Sequence, residues 1–340
     1  MSDYKFNLPR EVATAMFAAC VLFALVMHTI PAFLAGLLAF VLTRGLLNTL
    51  RARDVNKKLR AHELLAGVIV GIGSIAFLGA ISFLVARLLG GESLREFMLT
   101  IADTISHAKK YLPAALDAQV PTSLLELQGM VAGALKEHVN AVFGLGATVL
   151  HSLVLTIIGW ITGVLAAIGI STESADDSQP VFYTTWRRQW GMLSTAFRNV
   201  AWAQTKIAAI NAVVTGLFLV AVLPACGWHL PYVKSLILAT FVCGLLPVVG
   251  NLVSNTLICT MALTVAFPAA IVAGIFLIVS HKLEYFLNAR IQGHEIGAKA
   301  WELLIVLFAF ELLFGPAGMV AAPVIYAFAK ADLKRVGWLK

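Results

Sequence analysis

The sequence predicts an all-α, polytopic membrane protein, and three observations carry that prediction. Hydrophobic residues fill 60% of the 340 positions and charged residues only 13%. Mean hydropathy is +0.88, far above the balance of a soluble domain. Apolar windows of about twenty residues recur along the chain, each long enough to cross a hydrocarbon layer of about 30 Å as a helix. They lie near 12–30, 32–50, 64–89, 143–170, 199–223, 233–255, 257–280 and 300–329, eight candidate spans. The chain then divides into an N-terminal hairpin with a third span (1–89), extracytoplasmic amphipathic helices (90–142), a fourth span with a cytoplasmic linker (143–198), and a C-terminal core with broken helices (199–340).

Taken in order, Lys5 and Arg10 precede the first apolar run, and a second run follows Pro31 almost at once. That pairing reads as a helical hairpin and not as a cleaved leader. Arg51, Arg53, Lys57, Lys58 and Arg60 crowd the segment after the second span, so this loop is expected in the cytoplasm. An even number of crossings puts both termini there, which suits Lys330, Lys334, Arg335 and Lys340 at the other end. The net charge of +7 is then a topological signal. The basic residues have no aromatic stacking platform beside them, so a nucleic-acid partner is not expected. Cys20, Cys226, Cys243 and Cys259 show no paired spacing, which predicts neither a zinc site nor a disulfide framework.

Between the third and fourth spans, Phe97, Met98, Ile101, Ile105, Ala108 and Leu112 follow helical spacing, and after Pro113 and Pro121 a second such pattern runs from Leu124 to Val142. The stretch from Ser171 to Pro180 has linker composition. Trp186, Arg187, Arg188 and Trp190 then mark a return to the membrane interface, where indoles and basic groups are both favoured.

Polar groups inside the spans are the candidate functional residues. Gln204, Ala208, Asn211 and Thr215 form one stripe of the fifth span, which suits either helix-to-helix glue or the lining of a pathway. Pro247 and Gly250 interrupt the sixth span, with Asn251, Ser254 and Asn255 sharing a face beyond the break. Unpaired backbone there has to be lined by protein or water, as at a tight turn or at a re-entrant helix beside a cavity.

The last span carries Glu302 and Glu311 and is broken by Gly315-Pro316 and Pro323. About a dozen apolar side chains, each contributing roughly −0.3 to −0.6 kcal/mol to insertion, outweigh a carboxylate costing on the order of 3 kcal/mol. Glu311 therefore does not argue against the span, but it needs a polar surrounding, a proton or a cation. Glu295, Lys299 and Glu302 fall on one face with ion-pair spacing. No phosphate-cradling GxxxxGK[ST], HExxH or GxSxG motif is present, so neither an enzyme nor a bound cofactor or metal is expected.

Three stretches together resemble one family. They are Gly244-Leu245-Leu246-Pro247-Val248-Val249-Gly250-Asn251, Leu283-Glu284-Tyr285-Phe286-Leu287-Asn288-Ala289-Arg290-Ile291-Gln292-Gly293 and Phe314-Gly315-Pro316-Ala317-Gly318-Met319-Val320-Ala321-Ala322-Pro323. They are similar to the autoinducer-2 exporter family, the PerM-like permeases, most closely over about 200–332. The resemblance implies a multi-pass protein of the bacterial inner membrane with about eight membrane helices. It also implies a homo-oligomer, with a pentamer the suggested order, that moves a small solute. Pro247, Gly250, Glu284, Asn288, Arg290, Gly315, Gly318 and Pro323 occupy the family's motif positions. Ala289, where many members carry Pro, and Ala300-Trp301-Glu302, in place of a His-Pro pair, mark a subgroup.

The function this predicts is facilitated or ion-coupled efflux of a small polar solute or signalling molecule. Glu311 is the first candidate for ion coupling and Glu302 the second, with Glu284 and Arg290 added by the resemblance. Gln204, Asn211, Asn251, Asn255 and Asn288 are the candidates to line the solute path. Sodium/proton antiport, with a monovalent cation as the only substrate, is one alternative. A non-transporting scaffold that recruits a partner through the helices from Leu94 to Val142 is another.

Overall fold

The computed structural model describes residues 8–27, 29–53, 64–74, 139–172, 180–245 and 249–339, with the single positions 76, 129 and 133. The amphipathic segment expected over 90–142 therefore lies almost wholly outside the described residues, as do Pro247 and the second half of the expected third span. Every regular element among the described residues is a helix. In order they are α1 (Leu8–Val26), α2 (Ile30–Arg53), α3 (Leu64–Ser74), α4 (Val139–Thr172), α5 (Val181–Ala225), α6 (Val233–Gly244), α7 (Val249–Val265), α8 (Phe267–Ile296) and α9 (Ala300–Val336). Six of these, α1, α2, α4, α5, α8 and α9, are long and apolar enough to cross a membrane. The chain is an all-α polytopic membrane protein.

Two compact units are built from interleaved stretches. The first comprises 1–76, 148–202 and 292–340, the second 77–147 and 203–291. Helices α5 and α8 run from one stretch into the next without interruption.

In the first unit, Phe17, Val21 and Leu25 of α1, Ile30 and Leu37 of α2, Leu193, Ala196 and Val200 of α5, and Ala321, Val324 and Ala327 of α9 form one buried cluster. Phe17 is its centre, edge-on to Trp190 at 5.1 Å and to Trp186 at 6.2 Å. The two tryptophans read from sequence as interfacial markers thus also pack on α1. Helices α2 and α4 meet backbone to backbone. A Cβ on Gly159 would run into the Ala32 carbonyl, one on Gly163 into the Gly36 carbonyl, and one on Gly36 into the Gly159 carbonyl. Small residues at a membrane crossing permit this approach, and dispersion between the two backbones replaces side-chain packing.

Arginines gather in the same unit. Among the described residues, Arg187 and Arg51 act on Arg44 of α2, and Arg335, Arg10 and Asp332 act on Arg188.

The last helix departs from the single span expected at 300–329. Gly315 sits at φ 68°, ψ −163°, outside the helical region, and the chain reverses there. Glu302 and Lys330, which a straight helix would separate by about 42 Å, make an ion pair at 2.7 Å. Gly318 lies so close beneath the Phe310 carbonyl that a Cβ would clash with it. Thus α9 is two antiparallel arms, and Pro316 opens the second, where its missing N–H costs nothing. The paired depth, about fifteen residues, is about 22 Å, short of the 30 Å hydrocarbon core. Backbone at that φ and ψ is reached almost only by glycine, so Gly315→Ala is expected to destabilise by on the order of 1–3 kcal/mol. A lowered midpoint in thermal unfolding of the detergent-solubilised protein would register it.

In the second unit, α5 takes a single π turn at Phe218–Val222, in which Leu223 N–H donates to the Phe218 carbonyl five residues back. Pro224 follows directly. A proline supplies no donor to the turn behind it, which frees carbonyls to shift register. The ring of Phe218 stacks on Phe276 of α8 with centroids 3.8 Å apart, inside a cluster that includes Leu219, Leu223, Leu236, Ile258 and Leu277. The expected spans 233–255 and 257–280 are divided differently. Helix α6 ends at Gly244, α7 begins at Val249, and the next interruption falls at Ala266, just before Pro268. At 12 residues, α6 is about 18 Å long and too short to cross the membrane. Gly250 brings α7 against the Cys243 carbonyl of α6, where a Cβ would not fit. The glycine read as a helix weakener is a contact glycine.

Candidate polar site

The second unit holds a small polar pocket with a cavity volume of about 10 Å³, to which Asn211 and Thr215 of α5, Thr240 of α6, Asn251, Ser254 and Asn255 of α7, and Ser280, His281 and Glu284 of α8 contribute. Helix spacing explains each contribution. Asn211 and Thr215 are one turn apart on α5, Asn251 and Asn255 one turn apart on α7, and Ser280 and Glu284 one turn apart on α8. Leu277, one turn before His281, closes the apolar end.

Glu284 is the chemical centre. It is only 6% exposed, and Asn251 Nδ2 donates to its Oε1. Its Oε2 faces His281 Nδ1 at 3.7 Å. Burying a carboxylate is costly unless it is paired and hydrogen-bonded, and among the described residues it has one amide donor and one imidazole that carries charge only when protonated. The other lining groups are neutral amides and hydroxyls. Thr240 gives its hydroxyl proton to Leu236 O at 2.9 Å and Ser254 to Asn251 O at 3.2 Å, which leaves their oxygen lone pairs for a guest. The arrangement can take up a proton or a small cation at Glu284, with amide and hydroxyl groups around it.

Sequence candidates separate accordingly. The α5 stripe divides between its two readings. Gln204 Nε2 donates to Gly244 O at 2.8 Å and Ala208 packs on Gly244, so this half is helix glue, whereas Asn211 and Thr215 line the pocket. Asn251 and Asn255 are in the pocket as well. The side chain of Asn288 is outside the described ones. Arg290 is exposed and is not among the lining residues.

Glu311 is also exposed, beside Leu312 at 87% and Leu313 at 68% exposure. It is not brought together with Glu302 or with the pocket residues. Its side chain points off the outer face of the first arm of α9, and hydropathy alone carries no information about that direction.

Glu302 instead clasps the base of the α9 hairpin. Its Oε2 accepts from Lys330 Nζ at 2.7 Å, Tyr326 Oη at 2.5 Å and the Lys299 backbone N–H at 3.2 Å. Lys299, expected as an ion-pair partner through its side chain, reaches Glu302 through its backbone, because it stands at the helix N-terminus. Lys330→Met is expected to lower the thermal midpoint. Adding Glu302→Gln should then cost little more, and a double-mutant cycle reads that coupling.

The family model for AI-2E family transporters matches residues 12–337, nearly the full chain. This chain belongs to the AI-2E transporter family. The motif resemblance at 244–251, 283–293 and 314–323 therefore extends through the N-terminal hairpin as well. No curated protein sequence matches it. As a member of a transporter family the protein is a membrane transporter, and its pocket is read on those terms. Sequence reasoning missed His281, Ser280 and Thr240 in this AI-2E site. The three-residue step from His281 to Glu284 was a legible signal, since it puts both on one helix face.

Proposed function

We propose that this AI-2E family protein couples efflux of a small polar solute to a proton or monovalent cation, and that the exchanging carboxylate is Glu284 and not Glu311. The observation that carries this reading is a buried acid, 6% exposed, in a pocket whose other described lining groups are amides, hydroxyls, one imidazole and Leu277. An acid kept in a polar cavity of a membrane protein, with no Lys or Arg among the described lining residues, suits exchange of a proton or cation. The cavity volume of about 10 Å³ is room for about one water-sized guest, so in this conformation the pocket admits a proton or a small ion, and a solute requires it to widen.

That same small volume favours sodium/proton antiport as the second reading. Proteoliposomes separate the two. Under an imposed pH gradient, antiport predicts that added sodium alone dissipates the gradient. Coupled efflux predicts that dissipation requires a small polar solute, with the solute accumulating against its gradient. If the gradient is indifferent both to sodium and to a panel of small polar solutes, ion coupling is wrong.

The reading includes a bacterial inner-membrane location with both termini cytoplasmic. Its support is that Arg10 from the beginning of the chain and Arg335 from its end both act on Arg188, and basic residues flanking spans stay on the cytoplasmic side.

A further inference from the structure

The two oxygens of Glu284 are not equivalent. Oε1 accepts from Asn251 Nδ2, an amide that gives a hydrogen bond but neither takes up nor releases a proton near neutral pH. Oε2 faces His281 Nδ1 at 3.7 Å. Among the described lining residues, α5, α6 and α7 present only amides and hydroxyls to the acid, and α8 adds Ser280 and Leu277. Of those residues the imidazole is therefore the one group besides the acid itself that changes charge near pH 7. The next charged side chain along α8 is Lys282, which is exposed.

Position is the second observation. From Phe267 to Ser280, α8 carries no charged side chain, and His281 and Lys282 follow at once. A lysine at the end of an apolar run extends its ammonium to the aqueous boundary. His281 stands at that level with 45% of its side chain exposed, whereas Glu284 is buried. The imidazole thus reaches from the boundary to the acid, one edge against the carboxylate and the rest of the ring open. A gap of 3.7 Å is too long for a hydrogen bond, and a tilt of the ring by about 1 Å closes it to the roughly 2.7 Å at which a proton passes.

We propose that His281 is the port through which Glu284 exchanges its proton with water, an inference that rests on the reading of Glu284 as the exchanging acid. Neutral His281, with its own proton on Nε2, takes the Glu284 proton from Oε2 onto the Nδ1 lone pair. This leaves a carboxylate beside an imidazolium. The imidazolium then gives its Nε2 proton to water on the exposed side, so that one proton has left the pocket, and exchange of the ring protons with water restores the starting tautomer. The carboxylate, still held by Asn251 through Oε1, is then available to a cation.

The test follows the carboxylic-acid C=O stretch in infrared spectra of the detergent-solubilised protein after a rapid jump to higher pH, the Glu284 band being the one that Glu284→Gln removes. His281→Gln is expected to slow the loss of that band about tenfold or more, with its final amplitude unchanged. His281→Ala should be equally slow, and free imidazole in the buffer should restore its rate, which a merely structural role for the ring would not produce. His294→Gln, on the same helix but not among the lining residues, should match the wild type. A band that decays as fast in His281→Gln as in the wild type, or an alanine variant that imidazole leaves slow, overturns the port and leaves Glu284 as the exchanging acid. If Glu284→Gln removes no titrating band, Glu284 does not exchange a proton, and the port falls together with the reading beneath it.

Discussion

Glu284→Gln is expected to reduce ion-coupled flux in proteoliposomes by roughly tenfold or more, while Glu311→Gln transports like the wild type. The amide has nearly the shape of the carboxylate, and its oxygen can still accept from Asn251 Nδ2, so the α7–α8 contact survives. What disappears is the ionisable oxygen facing His281 at 3.7 Å. The protein should therefore fold and insert normally, bind solute, and lose its dependence on the gradient. Glu311, on the outer face beside Leu312, has none of these neighbours. Wild-type coupling in the Glu284 variant, or loss of coupling in the Glu311 variant, would sink the assignment. His281→Gln offers an intermediate test, since it keeps a hydrogen-bonding group but removes the imidazole that faces Glu284.

Gly159→Leu is expected to have the largest effect on stability. A Cβ at this position already collides with the Ala32 carbonyl, and this obstacle is backbone, which cannot rotate away as a side chain can. The helices α2 and α4 must separate, which also withdraws Gly163 from the Gly36 carbonyl. Overpacking a tight contact costs about 1–3 kcal/mol where side chains can give, and a backbone-to-backbone contact should exceed the upper end. The expected result is little monodisperse protein in detergent. Gly191→Ala on α5, where an added Cβ meets nothing within 4 Å, is the matched control and should be neutral or mildly stabilising. A Gly159→Leu protein with the wild-type melting profile would show that the α2–α4 crossing carries no weight.

Much of the fold was legible because hydropathy and helix breakers report local facts. The pairing of α1 with α2, the long apolar body of α5 and the break at Gly315-Pro316 all follow from composition along the chain. The reversal at Gly315 was not legible, since it depends on Glu302 meeting Lys330 across 28 residues. The exclusion of side chains between Gly36 and Gly159 is equally non-local.

The site divides in the same way. The stripe through Asn211 and Thr215 and the face through Asn251 and Asn255 were readable from spacing, but Glu284 was named only through the family motif. An acid near the end of an apolar run looks ordinary in sequence, and its burial is created by α7 packing against it. Glu311 drew attention for the opposite reason. A carboxylate in mid-span stands out by transfer cost, and cost says nothing of the direction in which the side chain leaves the helix.

The reversal within α9 bears on any attempt to map this protein with reporters. Residues just before Ala300 and just after Val336 lie at the same end of the hairpin. A fluorescent or enzymatic fusion at either point reports a single compartment. Scoring this stretch as one passage would place those two points on opposite sides.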